Sequence, residues 1–94
     1  MILERHIFKA KLGRLDELVA LGRRECEATG IPYRIYTPLF GPANIVVREF
    51  QFENLAKCEE FLKKWSARPE TPAFIAKLNA LIENETRSEL CQVL

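Results

Sequence analysis

The chain has 94 residues, 48% of them hydrophobic and 29% charged, with a formal net charge of +1. This length makes one domain with an adequate but thin core, burying roughly two thirds of the unfolded surface, so self-association would add useful burial. The near-neutral balance excludes the basic excess or stripe of a nucleic-acid surface and gives a membrane surface no hold, and no run approaches the ~20 apolar residues of a membrane span.

A first strand is expected over Ile2 to Lys11, with Leu3, Ile7, Phe8 and Ala10 as apolar contacts and Gly13 ending it. Arg14 to Thr29 reads as an amphipathic helix, because Leu15, Leu18, Val19, Gly22 and Cys26 recur at helical period. Asp16 and Glu17 suit its first turn, Gly30 suits a left-handed C-cap, and Pro32 forbids continuation. Tyr33 to Phe40 is a second strand interrupted by Pro38, which belongs at a sheet edge. Gly41-Pro42-Ala43 turns the chain into a third strand, Asn44 to Phe52. That strand sets Arg48 and Glu49 inside an apolar run, the pattern of a sheet covered on both faces with polar groups enclosed.

Asn54 is a plausible N-cap for a second helix whose stripe is Leu55, Cys58, Leu62 and Trp65, with Pro69 as its stop. A third helix is expected to begin with Thr71 as cap and Pro72 in the first turn, and to bury Phe74, Ile75, Leu78, Leu81 and Ile82. Polar residues Glu83 to Ser88 then lead to a last strand, Glu89 to Val93. Three cysteines, Cys26, Cys58 and Cys91, stand far apart among apolar residues, as small hydrophobes in a reducing, cytoplasmic setting would. Charge at Glu4 and Arg5 leaves no room for a signal-peptide apolar region.

The order β-α-β-β-α-α-β describes a ferredoxin-like α+β protomer in a single domain over residues 1–94. Right-handed crossovers are expected to set the first and third strands at the centre as parallel neighbours, with all helices on one face. Neither parity of these two strands is polar throughout, so the uncovered face keeps large apolar side chains. Such a patch marks an interaction surface, and a two-fold contact closing two sheets into a dimeric α/β barrel is the simplest way to cover it. The enclosed charges are expected to pair across adjacent strands, Arg48 and Glu49 with Glu4 and Arg5.

The run Glu4 through Lys11-Leu12-Gly13-Arg14-Leu15-Asp16-Glu17-Leu18 resembles the opening of a NIPSNAP-type domain of the dimeric α/β-barrel superfamily. Gly41, Asn44, Val46, Val47 and Phe52-Glu53-Asn54-Leu55-Ala56 resemble that family's strand-to-helix signature. The resemblance covers most of the chain and implies a ferredoxin-like protomer, a homodimer and a small cavity, with no secure catalytic set. His6 and Cys58 stand where the family commonly has arginine, and Phe8 and Phe52 where tyrosine is common.

The candidate ligand-binding residues are His6, Tyr36, Asn44, Arg48 and Trp65. His6, the only histidine, is either a proton acceptor or donor in a cavity or a sheet histidine paired with a neighbouring carboxylate. Arg48 and Glu49 either anchor an anionic or polar ligand or form cross-strand ion pairs with Glu4 and Arg5. Tyr36 and Trp65 either line an aromatic pocket or pack the core. No Cys/His/carboxylate spacing suggests a metal, and no cofactor is expected. Two functions follow: a domain binding a small, partly apolar molecule, or a cofactor-independent monooxygenase, isomerase or decarboxylase, as the resemblance allows. RNA binding is disfavoured, since Val47 and Glu49 occupy the places of base-stacking aromatics.

Overall fold

In a computed structural model, all 94 backbones and the side chains of all residues but 85 and 86 are described. The elements are β1 (Ile2–Ala10), α1 (Leu15–Thr29), β2 (Tyr33–Tyr36), β3 (Ile45–Phe52), α2 (Leu55–Ala67), α3 (Thr71–Leu81) and β4 (Ile82–Gln92). They form a four-stranded sheet in the order β2-β3-β1-β4.

Every ladder is antiparallel, which corrects the expectation of parallel neighbours at the centre. The crossover through α1 is one of sheet and helix, yet β3 returns from β2 and inserts between β2 and β1, so it runs against both. Opposite Arg5 stands Glu49, and opposite His6 stands Arg48.

Local signals explain most boundaries. Gly30, at φ 71°, caps α1 in the left-handed conformation, and Asn54 Oδ1 accepts from Lys57 N at 3.0 Å to start α2. Several boundaries differ from expectation. β2 stops at Tyr36 rather than Phe40: its ladder ends where Tyr36 meets Val47, and Pro38 follows. Asn44, at φ 62°, belongs to the turn and not to β3. Thr71 is not the cap of α3; Glu70 takes that place, and Thr71 turns its hydroxyl onto the Trp65 carbonyl at 2.6 Å.

The last strand departs furthest, beginning at Ile82 and continuing through the polar stretch assigned to a connection. β4 is laddered to β1 from Ala10 opposite Ile82 to Ile2 opposite Gln92, with two irregularities. Backbone pairing at an edge replaces the apolar alternation that a buried strand would need.

The helices cover the face bearing Glu4, Phe8, Ala10, Val46, Phe50 and Phe52. Phe8, Ala10, Leu18, Val46 and Ile82 form one buried cluster, and Cys26, Phe50, Phe52 and Cys58 a second. Phe61 of α2 meets Phe50 edge-on at a centroid distance of 5.3 Å. The molecule measures 37 × 35 × 19 Å, the thickness of one sheet and one helical layer. The opposite face, carrying Leu3, Arg5, Ile7, Val47 and Glu49, has no helix over it.

Candidate functional site

Between the sheet and the pair α2 and α3 lies a cavity of about 540 Å³. Its floor is polar: Glu4 and His6 from β1 and Arg48 from β3, all of one parity and therefore all pointing toward the helices. Its walls are apolar, made by Phe61, Leu62 and Trp65 of α2 and Phe74, Ile75 and Leu78 of α3. Asn79 and the start of β4, from Ile82 to Asn84, complete the rim. A few convergent polar groups in an apolar concavity are the usual make-up of a small-molecule site.

Glu4 organises the floor. Its Oε1 lies 2.9 Å from His6 Nε2 and accepts from Arg48 Nη2 at 3.1 Å. Burial pushes the Glu4 pKa up, but His6 and Arg48, through hydrogen bonds and charge, outweigh it and hold the carboxyl below its ordinary value. Both partners leave one atom over. Glu4 Oε2 and Arg48 Nε are buried and have no hydrogen-bond partner among the described residues. The Arg48 guanidinium also lies 4.6 Å from the centroid of the Phe50 ring.

Trp65 is fixed from outside the cavity. Its indole Nε1 donates to Glu25 Oε1 at 2.8 Å, Arg68 donates to the same carboxylate, and Phe74 meets the ring edge-on. This ties α2 to α1 and α3 while the ring faces the cavity.

Three of the five expected residues, His6, Arg48 and Trp65, are thus brought together. Tyr36 and Asn44 are not. Tyr36 lies on the uncovered face, where its hydroxyl donates to Glu49 Oε1 at 3.2 Å and accepts from Arg5 Nε at 3.1 Å. Asn44 is in the turn before β3 and its carbonyl accepts from Ala10 N. The expected cross-strand ion pairs are both present, one on each face: Arg48 with Glu4 toward the helices, Arg5 with Glu49 away from them. Glu49, buried, also accepts from Arg34 Nε at 3.0 Å. Glu4, Phe61 and Phe74 were not among the expected site residues; the parity Glu4 shares with His6, Phe8 and Ala10 was the available signal for the first. Among the described residues, no group of three or more His, Cys, Asp or Glu side chains could hold a metal ion, and no helix is long and apolar enough to cross a membrane.

No protein-family model matches the sequence, and no curated protein matches it. Solved structures do. A NIPSNAP domain protein from Burkholderia xenovorans superposes with a TM-score of 0.84 at 17% identity, over 100% of this chain and 95% of that one. A NIPSNAP family protein from Agrobacterium tumefaciens gives 0.79 at 24% identity, over 97% and 90%. SnoaB, a cofactor-independent oxygenase from Streptomyces nogalater, gives 0.73 at 14% identity, over 99% and 92%. At such identities the likeness is one of fold, and it agrees with the resemblance read in residues 4–18 and 41–56. The chain has the NIPSNAP-like, ferredoxin-type α+β fold.

Proposed function

We propose that this protein is a small homodimeric binding domain that takes up a small, partly apolar molecule in the cavity between its sheet and α2 and α3. One observation carries the reading. A cavity of about 540 Å³, walled by aromatic and aliphatic side chains, has a buried carboxylate–guanidinium pair and a histidine on its floor. In such a concavity, part open to solvent, apolar walls supply affinity and the few polar groups fix orientation. The homodimer forms through the uncovered sheet face, and its support is physical: a sheet with helices on one side only leaves Leu3 and Ile7 partly exposed on the other. The free thiols of Cys26 and Cys58, buried in the core, support a reducing, cytoplasmic setting.

The test is native mass spectrometry of protein purified from its own host, alongside Leu78→Trp, which fills the cavity. A bound small molecule that leaves with the Leu78→Trp substitution is expected. Protein that carries nothing, and whose Trp65 fluorescence no phenolic, quinol or anthrone-like compound alters, overturns the reading.

A second reading, a cofactor-independent enzyme, is favoured by the contact between His6 and Glu4. A histidine oriented by a carboxylate at the floor of an apolar cavity is an arrangement for moving a proton. Turnover of such compounds that falls with His6→Ala establishes it, and turnover indifferent to that change removes it.

A further inference from the structure

The ion pair at the cavity floor is half closed. A guanidinium and a carboxylate can meet through two parallel hydrogen bonds. Here only Arg48 Nη2 and Glu4 Oε1 meet, at 3.1 Å, which leaves an acceptor on one partner and a donor on the other. Each orphan is two covalent bonds from the contact, so donor and acceptor belong to one ion pair on the floor. Three ligand chemistries can be weighed against this pair. An anion finds the one guanidinium of the cavity already engaged by the Glu4 carboxylate, and like charges set together are penalised. A hydrocarbon leaves both orphans buried and unpaired. A neutral edge with a donor beside an acceptor satisfies both. A cyclic amide has that edge, with N–H next to C=O, and cannot close a hydrogen bond within itself as neighbouring hydroxyl and carbonyl groups do.

We infer that the ligand is a neutral, largely flat apolar molecule with a lactam-type edge, its N–H donating to Glu4 Oε2 and its carbonyl accepting from Arg48 Nε. This rests on the cavity being the ligand site. Both orphans are covered by neighbouring atoms in the unliganded arrangement. The ligand reaches them through a side-chain rotation that a single contact permits and a two-bond fork would resist.

The experiment compares four tricyclic probes of similar size by equilibrium dialysis and by quenching of Trp65, the only tryptophan, which lines the cavity. They are phenanthridinone, N-methylphenanthridinone, phenanthrene and phenanthrenecarboxylate. Phenanthridinone is expected to bind at least about tenfold tighter than the others, since each of them leaves at least one orphan without a partner. The preference should disappear in Arg48→Lys, which keeps the charge and removes the Nε donor, with circular dichroism verifying its fold. Equal affinity for all four, or a preference for the carboxylate, overturns this inference and leaves the cavity reading standing. No binding by any of them counts against the cavity reading itself, and this inference falls with it.

Discussion

Glu4 is 6% exposed and ionised at neutral pH, a state that burial opposes and that His6 and Arg48 maintain. A carboxyl whose folded pKa lies below its ordinary 4.5 contributes stability that is fully present above that value. The contribution is lost as the pH falls through the folded pKa. Glu4→Gln removes it while leaving the Arg48 charge in place with a neutral partner. At neutral pH this variant should therefore be less stable by about 3 kcal/mol, as for a buried pair broken on one side. Urea denaturation should show the gap between wild type and variant narrowing steadily below pH 4.5. A gap that is constant down to strongly acidic pH would mean that the carboxylate's charge contributes nothing. The cysteines are tuned in the opposite sense. Burial pushes the Cys26 thiol up to about 11 and raises Cys58 as well, which fits small hydrophobes of the core rather than nucleophiles.

Among the elements, the junction of α2 and α3 places the cavity's two walls, and it turns on Thr71. The Thr71 hydroxyl donates to the Trp65 carbonyl at 2.6 Å and accepts from Arg68 Nε at 3.2 Å, while Arg68 N also donates to Trp65 O. Thr71→Val keeps the shape and loses both side-chain bonds, so a loss of about 1–2 kcal/mol is expected. A cost within error in thermal unfolding would show that the backbone alone holds the junction. The expected cap at Thr71 was thus the right residue in the wrong role, because sequence spacing cannot tell a hydroxyl turned forward from one turned back. Legibility varied in the same way elsewhere. α1 was readable since five apolar residues recur at one period and a glycine closes it. β4 was hidden because Glu83 to Ser88 show no alternation, and only the ladder to β1 makes them a strand. At the site, His6, Arg48 and Trp65 stood out by chemistry, and so did Tyr36, which lies on the other face. Side-chain direction along a strand alternates, and nothing local says which parity meets the helices.

For the whole molecule, the question is what covers the second face of the sheet. Its charges do not require a partner: Glu49 is already met by Arg34, Tyr36 and Arg5, and Arg5 also reaches Glu89 at 2.7 Å. The case for a second copy rests on the apolar surface between them, Leu3 and Ile7 above all, and on the thinness of a 19 Å slab. Beside β2, Leu39 and Phe40, exposed to 93% and 95%, add surface that a lone chain leaves in water. A self-complementary contact suits this face, because an Arg and Glu lattice on one copy can meet the same lattice turned by a two-fold. Light scattering should then give twice the 10.9 kDa of the chain at micromolar concentration. Ile7→Glu places a carboxylate at the centre of the face, opposite Val47 on β3 and away from the helix-side core. Each protomer of a dimer would have to bury an added carboxylate together with Arg87, its cross-strand neighbour on β4, so association should weaken by roughly tenfold or more, with the fold intact by circular dichroism. Should wild type and Ile7→Glu both run as single chains, the uncovered face has no partner copy. The cavity on the helix side would then have to be explained within one protomer.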